Sequence, residues 1–181
     1  INKIPKLEID NDIIIHDLVE GHRNQTLAII HYEKLISLEP EKIPLENLND
    51  ILSKKIIVGL KKYGFSGLLP FQEESIRSIL KGNNSIISAP TGSGKTEAFI
   101  IPILQKILEN PIEGVFVLLV YPLNALIDDQ VSKISELIEK CQLNNIISTY
   151  SIHGGQSSQY KDKIITESYK KSIILATNFD F

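Results

Sequence analysis

Short apolar runs alternate with longer amphipathic segments along most of the chain after residue 84. Four of the runs have the length and composition of β-strands: 85–88, 115–121, 146–152 and 172–176. Three of the segments repeat apolar residues at helical spacing: 95–108, 125–141 and 159–170. This alternation predicts an α/β fold with right-handed βαβ crossovers, in which a parallel sheet carries helices on both faces. The unbroken run at 115–121 is typical of a strand that such a sheet buries on both sides.

The region before the first of these strands predicts two more helices. Apolar residues recur at roughly helical spacing over 45–63, until Gly64 supplies a stop. A second helix is expected over 71–80, ended by Gly82. Residues 1–44 lack this regularity and hold short apolar runs among charged segments. We therefore divide the chain into an N-terminal extension over 1–44, with one or two strands at 12–16 and 26–32, and an α/β domain over 45–181.

Composition and charge narrow the class of protein. With 181 residues, 43% of them hydrophobic and 23% charged, the chain is long enough for one domain with a proper core. A net charge of −3 provides no broad positive field, so any nucleic-acid contact has to be local. The single cysteine, Cys141, excludes an internal disulfide framework, and no apolar stretch approaches the roughly 20 residues of a membrane span. These features predict a cytoplasmic protein with no membrane partner.

A glycine-rich segment follows the first predicted strand and opens the next helix. A phosphate chain needs several backbone N–H donors, and Gly92 and Gly94 let the backbone approach closely enough to supply them. Lys95 supplies a positive charge for the β- and γ-phosphates, and the Thr96 hydroxyl is a ligand for Mg²⁺. The positive end of the helix dipole points at the same anion. The segment therefore predicts a site for ATP and Mg²⁺ in the sequence Ala89-Pro90-Thr91-Gly92-Ser93-Gly94-Lys95-Thr96.

The sequence of this loop resembles motif I of superfamily-2 helicases, with Ala89 where the strict phosphate-binding motif has its first glycine. Upstream, Gly64, Phe65, Pro70 and Gln72 resemble the Q motif of DEAD-box and related helicases. The resemblance implies that the Gln72 amide pairs with adenine and that Phe65 or Tyr63 lies against the base. Taken alone, Gln72 also suits an ordinary solvated helix. The resemblance assigns catalysis to Lys95 and Thr96, and nucleotide binding to Phe65, Gln72, Thr91, Gly92, Ser93, Gly94, Lys95 and Thr96.

The loops after the three later strands resemble motifs of the same family that contact nucleic acid. Residues 121–130 resemble motif Ia, in which a loop and helix N-terminus present backbone N–H groups to phosphates. Pro122 pre-sets the turn and Asn124 suits a helix cap, although an ordinary helix start explains both residues equally well. The glycine pair Gly154 and Gly155, and later Thr177, match further motifs that touch the nucleic-acid backbone in relatives.

Three titratable residues near these loops are interpreted structurally. His153 has no evident carboxylate or cysteine partner, so we expect a turn residue there and not a catalytic base. Asp128 and Asp129 fall in the first turns of a predicted helix, where the dipole favours acidic residues, and we do not expect them to bind metal.

The resemblance covers 63–181 and implies the first RecA-like ATP-binding domain of a helicase. Its implied partners are a single-stranded DNA or RNA track and a second RecA-like domain of a longer protein. The extension and the sequence of the motif Ia region most resemble large-helicase-related and YprA-like helicases. Many helicases of these groups act on DNA, so the resemblance favours DNA over RNA as the partner. Two alternatives stay open: a phosphotransferase for small molecules that uses the same kind of loop, and a non-catalytic module that binds nucleotide or protein.

The acidic motif needed for ATP hydrolysis does not occur in this sequence. In such helicases motif II, Asp-Glu-x-Asp or Asp-Glu-x-His, belongs to a later strand, and acidic residues hold the Mg²⁺ shell and orient the attacking water. No Asp-Glu pair is present in the 181 residues. We therefore expect a sheet that is incomplete at the C-terminus, with an unpaired strand edge and marginal stability, and a chain that binds ATP without hydrolysing it.

Overall fold

The computed structural model describes residues 41–154 and 156–178. Within them, three strands form one parallel sheet in the order β1-β3-β2, accompanied by five α-helices and a 3-10 turn at Leu45–Leu48. The elements in chain order are α1 (Lys54–Tyr63), α2 (Pro70–Leu80), α3 (Lys95–Glu109), β1 (Gly114–Val120), α4 (Asn124–Lys140), β2 (Ile147–Ile152), α5 (Ser158–Ser168) and β3 (Ser172–Thr177).

Helices cover both faces of the sheet, as the sequence predicts. On one face, Ile147 and Ile174 join a large apolar core to which α1, α2, α3 and α4 all contribute. On the other face, Ile164 of α5 packs with Tyr150 and Ile173 in a smaller cluster. The predicted α/β class and the helical coverage are therefore confirmed for the described residues.

The helices begin and end at residues that can satisfy their free backbone groups. The Ser53 hydroxyl accepts the backbone N–H of Ile56 at the start of α1, and its own N–H donates to the buried Oε1 of Gln105 at 2.8 Å. Gly64, with a φ of 111°, ends the helix in the left-handed region. Because Ser53 starts a new helix, the single helix predicted over 45–63 is wrong, and the segment divides into the 3-10 turn and α1.

The first predicted strand, 85–88, has no regular structure and lies outside the sheet. Its Ile86 side chain is fully exposed. A strand needs the backbone of a neighbour for its hydrogen bonds, and none of the described strands lies beside this segment. The sheet of the described residues thus has three strands where the hydrophobic pattern predicts four.

One side of β1 is open to solvent. Val115, Leu118 and Val120 are each roughly half exposed, so the prediction of burial on both faces is wrong for this strand. These three residues share a face with Ile173, and the apolar cluster that α5 forms on that face contains residues of β2 and β3 but none of β1. Among the described strands β1 and β2 are outer strands, so each has one edge without a strand partner.

The predicted extension falls almost entirely outside the described residues. This includes its expected strands at 12–16 and 26–32. At its end, Ile43 forms an antiparallel bridge with Leu68, with N–O distances of 2.7 and 2.9 Å. The boundary at residue 44 stays a prediction, although this bridge ties residue 43 to the α/β domain.

Candidate nucleotide and nucleic-acid site

The glycine-rich segment turns tightly into helix α3. Gly92 and Gly94 have φ angles of 78° and 85°, in the left-handed region that glycine adopts without strain. Ser93 closes the turn, because its hydroxyl and its backbone N–H both donate to the carbonyl oxygen of Pro90, at 2.7 and 3.3 Å. Helix α3 begins at Lys95 and points its positive end into the loop. The backbone therefore has the form of an anion-binding cradle.

The Lys95 side chain folds back onto the start of the loop and is partly exposed. Its Nζ donates to the carbonyl oxygens of Ala89 and Pro90 at 2.7 and 2.6 Å. A phosphate oxygen carries a negative charge and is a stronger acceptor for an ammonium group than either carbonyl. Thr91 is exposed at the tip of the loop, accessible to a ligand. The Lys95 ammonium thus lies against the start of the glycine-rich loop, and phosphate binding by the loop residues stays a prediction.

Thr96 is held by a residue that the sequence analysis did not single out. Its Oγ1 donates to Oε1 of Gln130 on α4, at 2.8 Å. The Gln130 side chain is buried, and its Nε2 donates to Oδ2 of Asp129 at 3.1 Å. Lys133 in turn lies 2.7 Å from the same Asp129 oxygen, and this hydrogen bond holds the pKa of Asp129 below its usual value. Four side chains therefore form one connected polar chain.

A signal for Gln130 is present in the sequence. The residue lies three positions after Ile127 and four before Ile134, both of which are buried on the inner side of α4. A polar side chain at an inward position of an amphipathic helix needs a buried partner. The pattern thus identifies Gln130 as a buried polar group, while its partner Thr96, 34 residues away in sequence, requires the fold.

Gln72 joins α2 to the phosphate loop. Its side chain is 3% exposed, so the alternative of a solvated helix residue is wrong. Its Oε1 accepts the backbone N–H of Leu69 at 2.8 Å, and its Nε2 donates to the carbonyl of Gly94 at 2.9 Å. A primary amide has two N–H groups and two acceptor positions, so one of each remains for an adenine edge. Pairing with adenine stays a prediction.

The two aromatic residues expected near the base stack on each other. The rings of Tyr63 and Phe65 have centroids 5.9 Å apart and planes inclined by 23°. Both pack against the main core, and burial raises the pKa of Tyr63. The contact of either ring with a nucleotide base stays a prediction.

The loops after β1, β2 and β3 lie at one edge of the sheet, because the three strands are parallel. The first and third loops are linked by a side-chain hydrogen bond: Nδ2 of Asn178 donates to Oδ1 of Asn124 at 2.7 Å. Asn124 is the first helical residue of α4, and Leu123 at the cap makes no side-chain bond, so the predicted capping role of Asn124 is wrong. Pro122 is exposed in the same loop.

The other predicted nucleic-acid contacts differ in accessibility. Thr177 is 1% exposed and its hydroxyl donates to the carbonyl of Asn178 at 3.5 Å, so its side chain faces the interior. A contact of Thr177 with nucleic acid remains a prediction that this burial does not favour. Gly154 is exposed after β2, and Gly155 lies outside the described residues.

His153 has a carboxylate neighbour, contrary to expectation. Its Nε2 lies 3.5 Å from Oδ1 of Asp128 in the first turns of α4. Its backbone N–H donates to the side-chain oxygen of Gln156 at 3.2 Å. His153 therefore connects the loop after β2 with the helix that follows β1.

A metal ion at this site would have to be held by the phosphate loop together with the bound nucleotide. In residues 41–154 and 156–178, no group of three or more His, Cys, Asp and Glu side chains is placed to hold a metal ion. Mg²⁺ bound with ATP needs fewer protein ligands, because phosphate oxygens and water complete its shell. Thr96 fits this role, since its bond to Gln130 uses the hydroxyl proton and leaves the lone pairs free.

None of the helices in the described part of the chain is long and apolar enough to cross a membrane.

The motifs and their geometry agree with the comparison of this sequence with known families. The profile of DEAD/DEAH box helicases matches residues 69–180, which is more than half of the chain. The chain belongs to the DEAD/DEAH box helicase family. This membership confirms the resemblance to superfamily-2 helicases and removes the interpretation as a phosphotransferase for small molecules.

Individual DEAD/DEAH box relatives match only part of their own length. The ATP-dependent RNA helicase ROK1 of Kluyveromyces lactis is 30% identical over 81% of this chain and 26% of the relative. The uncharacterized ATP-dependent helicase YprA of Bacillus subtilis is 27% identical over 79% of this chain and 18% of the relative. The chain therefore spans about a quarter or less of these proteins.

Two solved DEAD/DEAH box and related structures share the fold. The DEAD-box helicase Mss116 bound to single-stranded RNA and UDP-BeF has a TM-score of 0.66 and 26% identity, over 76% of this chain and 29% of that one. The DUF1998 helicase MrfA bound to DNA and AMPPNP has a TM-score of 0.61 and 28% identity, over 70% of this chain and 17% of that one. The predicted RecA-like parallel sheet is confirmed, while the YprA-like subgroup stays a prediction because both kinds of relative match.

Proposed function

We propose that this DEAD/DEAH box chain is the ATP-binding part of an ATP-dependent helicase that acts on RNA. The observation that carries the proposal is the loop at 89–96, in which the Lys95 ammonium binds two backbone carbonyls and the Thr96 hydroxyl is bound by Gln130 at the start of α3. Two buried amides bind groups of this arrangement: Gln72 binds the carbonyl of Gly94, and Gln130 binds the hydroxyl of Thr96. Such pre-positioned donors are what a polyphosphate requires.

Each residue of the loop has a separate task in this proposal. Lys95 exchanges its two carbonyl acceptors, Ala89 and Pro90, for phosphate oxygens. The backbone N–H groups at Gly92 and Gly94 face the phosphates, which their left-handed φ angles permit. Thr96 holds Mg²⁺, and the ion when bound neutralises charge on the phosphates. Gln72 offers its remaining donor and acceptor to adenine.

We infer RNA as the nucleic-acid partner, in place of the DNA that the sequence analysis favoured. Support comes from the curated relatives, among them ROK1, whose name describes an RNA helicase, and from Mss116, whose structure contains single-stranded RNA. The contact surface is the edge formed by the loops after β1, β2 and β3, where Pro122 and Gly154 are exposed. DNA serves as the comparison ligand, because MrfA was solved with DNA.

The nucleotide site is tested by equilibrium binding of a fluorescent ATP analogue in the presence of Mg²⁺. Lys95→Ala is expected to weaken binding by about 10- to 100-fold, the cost of losing charge-assisted hydrogen bonds to phosphate. Lys161→Ala is the matched control, since Lys161 is an exposed lysine on α5. Equal affinities for wild type and Lys95→Ala would show that the loop does not hold the nucleotide.

The choice of RNA is tested by fluorescence anisotropy with single-stranded RNA and DNA oligonucleotides of the same sequence. Both are measured at the same salt concentration, because affinity for nucleic acid depends on salt. Tighter binding of the RNA is expected. Equal binding, or tighter binding of the DNA, would refute this part of the proposal and leave the ATP site untouched.

We also propose that these 181 residues bind ATP without turning it over, because no Asp-Glu pair is available to hold the Mg²⁺ shell and orient water. Phosphate release measured with malachite green, with and without RNA, is expected to stay at the level of a protein-free blank. RNA-stimulated release that disappears in Lys95→Ala would overturn this expectation.

A further inference from the structure

We propose that Gln130 is a positioning residue for Mg²⁺: it turns the Thr96 hydroxyl so that its lone pairs face the metal. This inference rests on the proposed ATP site and adds a residue outside the phosphate loop to it. Gln130 belongs to α4, a different helix from the one that carries Thr96, and the two side chains meet at 2.8 Å.

The direction of the hydrogen bond decides what Thr96 can do. A hydroxyl has one proton and two lone pairs. If the proton goes to Gln130, both lone pairs stay available to a cation. If Thr96 instead accepted a hydrogen bond from the Gln130 amide nitrogen, one lone pair would be used and the free proton would repel Mg²⁺. The arrangement around Gln130 must therefore present its oxygen, not its nitrogen, to Thr96.

Asp129 selects that orientation. An ionised carboxylate only accepts hydrogen bonds, so the amide nitrogen of Gln130 turns toward Asp129, at 3.1 Å, and the amide oxygen is left for Thr96. Lys133 keeps the carboxylate in place and ionised through its own contact with Oδ2 at 2.7 Å. The exposed ion pair thus fixes the rotation of a buried amide, and through it the rotation of the Thr96 hydroxyl.

The burial of Gln130 makes this positioning effective. The side chain is 8% exposed, so water has little access to replace either amide partner. Its neighbours along the helix, Ile127 and Ile134, are fixed in the interior and hold the backbone from which it extends. A buried glutamine at an apolar helix position destabilises the protein unless its polar atoms are paired, which both are here.

The test measures nucleotide affinity in Mg²⁺ and in EDTA. The ratio of the two affinities is the gain from Mg²⁺, and it isolates the metal-dependent part of binding. In Gln130→Leu we expect the affinity in EDTA to stay at the wild-type level. The gain from Mg²⁺ should fall by about two- to tenfold, the range of one lost hydrogen bond. Gln130→Glu keeps an acceptor for Thr96 but loses the donor to Asp129 and places two carboxylates side by side, so it is expected to retain only part of the gain. Thr96→Val combined with Gln130→Leu should be no worse than Thr96→Val alone, because both variants break the same link.

Gln105→Leu is the matched control. Gln105 is another buried glutamine, 6% exposed, whose amide binds Ser53 and Glu109 at a distance from the loop. It reports the effect of replacing a buried amide, and it should leave the Mg²⁺ gain unchanged. Thermal melts of every variant establish that the proteins compared are folded.

The outcomes separate this inference from the proposed function. Wild-type protein that binds no nucleotide in either buffer would overturn the ATP site itself. Wild-type protein with a Mg²⁺ gain that Gln130→Leu retains in full would overturn only the role of Gln130. An equal loss of the gain in Gln130→Leu and Gln105→Leu would also overturn it, since the effect would then belong to core packing.

Discussion

Replacing Gly94 by alanine tests whether Gln72 holds the phosphate loop. A Cβ atom at Gly94 would lie 2.3 Å from Nε2 of Gln72, far inside van der Waals contact. Gln72 cannot move aside cheaply, because its oxygen is tied to the N–H of Leu69 and its side chain is 3% exposed. Displacement breaks the bonds at both ends of the amide and leaves buried polar groups unpaired.

Gly92→Ala is a control with nearly the same backbone strain. The φ angles are 78° at Gly92 and 85° at Gly94, but nothing lies within 4 Å of a Cβ at Gly92. The left-handed conformation costs a non-glycine residue about 1–2 kcal/mol, which applies to both positions. Unpaired buried groups at Gln72 add about 1–3 kcal/mol at Gly94 alone. We therefore expect Gly94→Ala to lower the free energy of unfolding by about 2–5 kcal/mol and Gly92→Ala by about 1–2 kcal/mol.

Urea denaturation at equilibrium measures the difference, with the slope against urea checked for equality among the variants. A double-mutant cycle completes the argument: in a Gln72→Ala background, the cost of Gly94→Ala should fall to that of Gly92→Ala. Equal costs for the two glycine variants in the wild-type background, or an unchanged cost of Gly94→Ala without Gln72, would refute the link between α2 and the loop.

Two further predictions concern the contact between α1 and the end of α4. In Gly59→Ala, the new Cβ would lie 2.3 Å from Sγ and 2.6 Å from Cα of Cys141. The resulting overpacking outweighs the gain in helix propensity, so we expect the free energy of unfolding, measured by urea denaturation, to fall by about 2 kcal/mol. Alanine at the neighbouring exposed Val58 should change stability by less than about 0.5 kcal/mol, and a Gly59→Ala variant as stable as that control would contradict the contact. Burial raises the pKa of the Cys141 thiol from 9.0 to about 11, so the unfolded chain loses this proton first and stability should decline as pH rises between these values. Cys141→Ala should show a smaller decline over the same range, and identical pH profiles would refute the assignment.

Much of the helical framework follows from local sequence signals. The predicted helices over 71–80, 95–108 and 125–141 match observed helices within one residue at each end. Apolar periodicity and local start signals, such as Pro70 at the first turn of α2, account for this agreement. Strands β1, β2 and β3 are also recovered within one residue, because short apolar runs between turns can pair side by side.

Features that depend on distant neighbours were not recoverable. Segment 85–88 has a strand-like composition, but composition does not supply the adjacent backbone that a strand requires. The unbroken apolar run of β1 predicts two buried faces, whereas Leu118 is 54% exposed, because coverage depends on where α5 packs. The loop sequence alone predicts Thr96 as a metal ligand, while the orientation of its hydroxyl depends on Gln130, which only the fold brings near.

The phosphate loop of this chain takes its geometry from its surroundings as well as from its glycines. Left-handed φ angles at Gly92 and Gly94 allow the turn. Glycine also adopts many other conformations, so the two glycines alone do not determine the shape of the loop. Selection comes from Gln72, which binds the carbonyl of Gly94, and from Gln130, which binds the hydroxyl of Thr96 two residues later. These two buried amides extend from different helices and bind two separate groups at the start of α3. Removing Gln72 should therefore weaken nucleotide binding with or without Mg²⁺, because the Gly94 carbonyl would no longer be held in one arrangement before the ligand arrives, whereas removing Gln130 should reduce only the gain from Mg²⁺.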